Sequence, residues 1–361
     1  MMRDLPLAEK TNIEDWAFED LVLKDIDLPT VDLKRLNLTG NYIVIVDGVL
    51  ISQAGICDLK IDVDSEIKPT AVNNKLIMLN QKKSNSNLKI TVPKNVAVKD
   101  PLTIVYIAKD RSLVHMSEII LEMGASLNCI EWFIGEGQYN TNIISNFIVG
   151  KNANLTTRTM SELYPKTVVY HHKHSKVEND GVIDATNFII NDTNLVFEDF
   201  IYLAGRGAEA DVKTVSVASG KQKQNITVRT ENIAFNTVAN IINYGIVKDE
   251  AHLAFNGVGK IQKNAKDCDN QQETRILNLS KTAEAVANPF LLIDEGDITA
   301  GHAASIGQLD EEQIYYLMSR GNSRALASKM IVSGFLTPFV KILEDVKAQE
   351  ALSLKIDKKL G

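Results

Sequence analysis

From about residue 40 to about residue 300 the chain repeats one texture. Short runs of β-branched and aromatic residues, as in "NYIVIVDGVLI", "PLTIVYIAKD" and "NFIINDTNLVFEDFIYLAG", are separated by Asn, Asp, Gly and Lys. Such runs bounded by turn formers read as strands. Inside this texture a turn residue, a small residue and an apolar residue recur in "GASLNC" at 124, "KNANLTT" at 151, "GVIDATN" at 181 and "RGAEADV" at 206, at intervals of 27, 30 and 25 residues. A coil of three short strands and their turns needs about 25 to 30 residues, and stacking such coils puts their small residues in register at the corners. The pattern predicts a mainly-β chain built on a parallel β-helix over residues 39–308. An antiparallel sandwich with chance similarity between turns is the alternative left by this pattern alone.

Both flanks differ from the middle. Residues 11–28, "TNIEDWAFEDLVLKDIDL", carry Trp16, Phe18, Leu21, Val22 and Leu23 among acids, ahead of Pro29. They predict a short N-terminal helix or cap within a segment 1–38. At the other end Leu309, Asp310, Gln313 and Ile314 form a capping box with a hydrophobic staple. Arg320 and Gly321 suit the end of that helix. A second helix is predicted from Ser323, with Leu326, Ala327, Met330, Ile331, Gly334 and Phe335 on one face, and a third from Pro338, with Phe339, Ile342, Leu343 and Val346. The tail "ALSLKIDKKLG" reads as a fraying helical end, so residues 309–361 form a helical domain.

Composition narrows the function. An apolar fraction of 45% supports a sizeable core, and 39 basic against 46 acidic residues, with no basic block, argue against nucleic acid. No run approaches the roughly 18 apolar residues of a membrane span, and the N-terminus lacks the apolar core of a signal peptide. Cys57, Cys129 and Cys268 are scattered and form no ligand pair. A cytoplasmic protein with reduced thiols is the expectation.

Most apparent motifs fail on context. "AGRGAEADV" has dinucleotide-type spacing but leads into a strand pattern, and "NGVGKIQ" lacks the earlier glycine and following Ser or Thr of a phosphate loop. No nucleotide is expected on this chain. In "VVYHHKHSK", Lys173 and Lys176 crowd His171, His172 and His174, favouring a solvated strand or turn over a metal site. Cys129 reads as a buried structural thiol, and the acids flanking Cys268 argue against an activated nucleophile. His302 stands among Gly301, Ala303 and Ala304, with Asp294, Glu295 and Asp297 upstream. Its imidazole suits iron, but one histidine is an incomplete site, and a structural or solvent-facing role is the simpler local reading.

The stretch "NPFLLIDEGDITAGHAASIGQLDEEQIYYLMSRGNSRALASKMIVSGF" resembles the C-terminal core of the SufB/SufD family of iron–sulfur cluster assembly proteins. The matching positions are Pro289, His302, Ala304, Asp310, Tyr316, Leu317, Ser319, Arg320, Gly321, Ala327, Ile331, Gly334 and Phe335. A weaker likeness runs back to "ITVPKNVAVKDPLTIVY", and "EDWAFEDL" keeps Glu14, Trp16, Phe18 and Asp20 of the family's entry motif while departing at Ala17 and Glu19. His302 lacks the acidic neighbours of the SufB pattern, and Thr274 stands where SufB-like chains have a cysteine. The SufD-like branch is therefore favoured over a SufB-like paralogue, with an N-terminal region shorter than either.

The resemblance implies a right-handed parallel β-helix and a non-catalytic scaffold subunit that pairs with a SufB-like paralogue and receives a SufC-like ABC ATPase on its C-terminal helices. It implies that His302 is an iron or cluster ligand shared with the SufB-like partner, the cargo being held transiently. Met330, Ile331, Phe335 and Phe339 are the candidate docking residues, and pairing of an isolated chain with itself is left open. A β-helix carbohydrate-active enzyme is the rival, but the chain has 6% aromatics and no convincing acid pair.

Overall fold

The computed structural model describes residues 16–63, 65–67, 74–163, 167–343 and 346–360. The described strands begin with β1 (Asn41–Val46), β2 (Val49–Ala54), β3 (Lys60–Val63) and, after helix α1 (Lys75–Lys83), β4 (Ser86–Val92). They continue as β5 (Leu102–Ala108), β6 (Val114–Leu121), β7 (Ser126–Gly135), β8 (Thr141–Val149), β9 (Asn154–Glu162), β10 (Val168–Val177) and β11 (Val182–Ile189). The series ends with β12 (Asn194–Leu203), β13 (Glu209–Ala218), β14 (Lys223–Asn232), β15 (Val238–Val247), β16 (His252–Ile261), β17 (Cys268–Asn278), β18 (Glu284–Ile293) and β19 (Ile298–Gly307).

Successive strands alternate between two sheets. One sheet has the order β19-β17-β15-β13-β11-β9-β7-β5-β1-β2 and the other β18-β16-β14-β12-β10-β8-β6-β4-β3. From β4 onward every pairing within a sheet is parallel; only β1 with β2 and β3 with β4 run antiparallel. This is a parallel β-solenoid of about eight coils. Inward residues of both sheets meet in one core running from Ile43 to Ile276.

The corners explain the period. Asn95, Gly124, Asn152, Asp180, Gly207, Asn236 and Asp267 all have positive φ, a conformation open mainly to Gly, Asn and Asp. Each corner amide donates to a carbonyl one coil further on, as in Asn152 to Asn179 and Asp180 to Arg206, both at 2.9 Å. Ala125, Ala153 and Ala208 follow three of these corners and are fully buried, so small residues do stack in register. Each coil has two strands rather than the expected three. Strands of 8 to 11 residues, such as β11 and β17, run unbroken between corners and fill a period near 28 residues with only two turns.

The N-terminal helix expectation falls partly outside the described residues. Over 16–32 the chain has no helix or strand beyond a turn at residues 18–19, and a 3-10 turn follows at Leu33–Leu36. Trp16 and Phe18 pack sideways against Ile67, Ile77, Met116 and Tyr170 instead of forming a helical stripe.

At the C-terminus α2 (Glu311–Ser319) is capped by Asp310, whose carboxylate accepts from the Glu312 amide at 2.9 Å, and Gly321 has φ of 93°. Helix α3 (Arg324–Val340) is capped by Ser323 and contains Pro338 instead of ending before it. The Pro338 ring nitrogen cannot donate to the Gly334 carbonyl four residues back, and the helix ends two residues later. The tail is a further helix, α4 (Val346–Leu360). Leu352 and Ile356 of α4 join Val332, Leu336 and Phe339 of α3 over Phe188, Val215, Val217 and Ile246 on the outside of the larger sheet.

Candidate functional site

Alternation along β17 fixes which way each side chain points. Cys268, Asn270, Gln272, Thr274 and Ile276 are buried, while Asp269, Gln271, Glu273 and Arg275 lie between them and are less covered. Parallel pairing carries this phase into β19, aligning Gln272 with His302, Thr274 with Ala304 and Ile276 with Ile306. A Cβ placed on Gly301 would meet Gln271 Oε1 at 2.7 Å, so Gly301 sits on the outer face and His302 on the inner one. His302 is the last member of an inward column that runs Cys129, Thr157, Ala185, Val212, Ile241, Gln272, His302.

That column ends at an open rung. Ile261 and Ile276 are 0% and 2% exposed, but their neighbours one rung on, Ile293 and Ile306, are 42% and 48% exposed. Among the described residues no further strand or helix stacks on the inner faces of β18 and β19 as a next rung. Those faces carry Ala285, Ala287, Pro289, Leu291 and Ile293 from one strand and Ile298, Ala300, His302, Ala304 and Ile306 from the other. His302 is thus the one polar side chain on an apolar end plate. Both strands are also sheet edges, which leaves backbone groups available for pairing. Pro289 fits there because an edge strand can lack a donor.

The acids upstream do not assemble a metal site with His302. Glu295 stays at the corner, where the Asn264 and Gly296 amides, both at 2.9 Å, hold its carboxyl below the usual range. Among the described residues no three His, Cys, Asp or Glu side chains gather in a way that could hold a metal ion. A groove of about 700 Å³ runs beside β19 and is lined by His302 together with Asp211, Gln271, Glu273 and Arg275, whose side chains alternate onto the outer face.

Other sequence candidates resolve differently. His171, His172 and Lys173 lie on β10 and are almost fully buried, not solvated. His172 donates through Nδ1 to Glu198 at 3.0 Å on the next rung. Lys173 points inward and donates to Thr159 and Asn187 at 2.8 and 2.9 Å; Asn187 in turn donates to Asp199 at 2.9 Å. Glu131, which accepts from Ser145 at 2.9 Å, completes a charged interior cluster that strand texture alone did not reveal. Burial raises its carboxyl, with Lys173 opposing that shift. Cys129 is buried as expected, and all three cysteines are free. "AGRGAEADV" is a corner leading into β13, and "NGVGKIQ" lies on β16 with Gly257 and Gly259 facing inward.

On the helices, Phe339 is 6% exposed and packs on Tyr244 with ring centroids 4.5 Å apart, so it is a core residue rather than a docking one. Phe335 is half-buried against the same tyrosine. Met330 remains exposed, and Tyr315, Tyr316, Met318 and Leu326, which the sequence reading did not name as docking residues, join it as apolar side chains in solvent.

Residues 105–335 match the family described as the SUF system FeS cluster assembly SufBD core domain. The chain is 37% identical over 284 residues to the "Iron-sulfur cluster assembly protein SufD" of Bacillus subtilis, covering 76% of this chain and 65% of that protein. It is 26% identical to an "Iron-sulfur cluster assembly SufBD family protein" of Staphylococcus epidermidis, covering 76% of this chain and 60% of the relative. A protein of the same description from Mycobacterium tuberculosis is 25% identical, covering 72% of its length. The chain therefore spans less than two thirds of the Bacillus and Staphylococcus relatives.

Proposed function

The chain belongs to the SufBD family of iron–sulfur cluster assembly proteins, and from that premise we propose that it is a SufD-like, non-catalytic scaffold subunit whose open rung docks a SufB-like paralogue. One observation carries the reading: the solenoid ends in an uncovered apolar plate with edge strands on both sheets and a single histidine among its inward residues. A partner solenoid end of similar shape would cover that plate. His302 would then lie within the joint, supplying one ligand to iron or a cluster carried as cargo, with the remaining ligands coming from the partner.

A SufC-like ABC ATPase is assigned to the exposed side chains of α2 and α3, namely Tyr315, Tyr316, Met318, Leu326, Met330 and the half-buried Ile331. Exposed aromatic and Met side chains suit a protein interface. The reading gives this chain no bound nucleotide and no catalytic residue. Among the described residues no helix is long and apolar enough to cross a membrane.

The test compares wild type with His302→Ala after anaerobic reconstitution with a SufB-like paralogue and its ATPase. The expected result is an intact complex that retains much less iron and shows weaker cluster absorbance. Equal iron in the two complexes would remove His302 as a ligand, and failure of wild type to bind the paralogue would remove the scaffold reading.

A further inference from the structure

We infer that Gln272 is a positioning residue for His302, accepting the Nδ1–H of its imidazole and leaving Nε2 free to face the joint. The inference deepens the proposed role of His302 and rests on it. Gln272 is 6% exposed and lies directly below His302 in the inward column. Its Nε2 donates to the Phe290 carbonyl at 2.9 Å, which fixes the amide, whereas its Oε1 is buried without a partner. A buried acceptor left empty is costly, so a donor within reach is favoured.

The solenoid itself shows that reach. Side chains on neighbouring rungs bond in register at Thr227 with Asn256 (3.3 Å), Asn256 with Asn288 (2.9 Å) and Asn243 with Thr274 (3.3 Å). Two histidines already follow the rule through Nδ1, His172 to Glu198 and His252 to Glu284, each at 3.0 Å. His302 over Gln272 is the same arrangement with an acceptor in waiting.

The glycines of "NGVGKIQ" make room for it. A Cβ on Gly257 would come within 2.8 Å of Gln272 Oε1, and one on Gly259 within 2.5 Å of its Nε2. These two residues form a notch in the opposite sheet that seats the Gln272 amide. A metal-binding histidine usually donates its second ring nitrogen to such an acceptor, which sets both tautomer and ring direction.

The experiment is ¹⁵N NMR of the ring nitrogens in the metal-free chain labelled at its six histidines. Free histidine favours the Nε2–H tautomer, so an Nδ1–H majority at His302 is diagnostic. Wild type and Gln272→Glu, which keeps an acceptor, are expected to show that majority; Gln272→Met, similar in shape without one, is expected to revert to Nε2–H. The other five histidines report whether each variant keeps the fold. An Nε2–H majority in wild type, or a pattern unchanged in Gln272→Met, overturns the inference. Because no iron or partner is present, this outcome is separate from that of the His302→Ala reconstitution.

Discussion

Burial of individual histidines makes the fold sensitive to acid. Desolvation lowers His115 from 6.5 to about 3 and His174 to about 4, and it drives His171 well below its ordinary value, with Lys173 adding to the effect. A folded pKa below the unfolded one gives stability that is present above pH 6.5 and lost as pH falls toward the folded values. At pH 5.5 each of these histidines should remove about 1.4 kcal/mol relative to neutral pH, or about 4 kcal/mol together. Urea midpoints at pH 7.5 and 5.5 measure this loss. His115→Gln should shrink the pH difference by about a third; no change would place the acid sensitivity elsewhere. This cluster was illegible beforehand because polar residues usually face water. "VVYHHKHSK" gives no sign that Thr159 and Asn187, which receive the Lys173 ammonium, arrive from neighbouring coils. The orientation of His302 was hidden for a related reason. In "GHAASIG" His302 shares its phase with Ala304 and Ile306, but a polar residue in an apolar set is not expected to face inward, and the pairing with β17 shows that it does.

Elements with local signals were legible, and those defined by tertiary packing were not. The start of α2 follows from Asp310 alone, because its carboxylate satisfies first-turn amides wherever the helix docks. Helix α4 carries Lys355, Lys358 and Lys359 and looks like a solvated tail, but Leu352 and Ile356 bury against α3 and the sheet. Lys359 adds an anchor by donating to Asp192 and Gln222 at 2.9 and 3.0 Å and to the Asn191 carbonyl. Its ammonium pKa is lowered by burial, with Asp192 opposing the shift. Ile356→Ala should therefore ease local opening of α4 by about 2 to 5 kcal/mol. Hydrogen exchange is expected to accelerate at α4 amides and stay unchanged in β7 and β9. Equal acceleration in all three would mean that α4 and the solenoid unfold as one unit.

At the scale of the molecule, the repeat is what the sequence carried best. Corner residues set the period, and stacked coils contact mainly their neighbours, so the architecture can be read from spacing even though the number of strands per coil cannot. The same one-dimensional logic makes the final rung special. Every inner coil is covered by the next, whereas β18 and β19 have a neighbour on one side only. A substitution there should separate association from folding. Ala304 is exposed beside His302 in the free chain, and Ala304→Arg adds a charge that stays solvated until a partner arrives. Its effect on the stability of the isolated chain should be within about 0.5 kcal/mol. On docking, the guanidinium would be forced into an apolar joint without a counter-ion, at a cost of several kcal/mol. Sedimentation with a SufB-like paralogue should then show loss of the complex, with the melting temperature of the free chain unchanged. A complex of undiminished affinity would mean that the partner docks elsewhere, and the apolar end plate would need a different occupant.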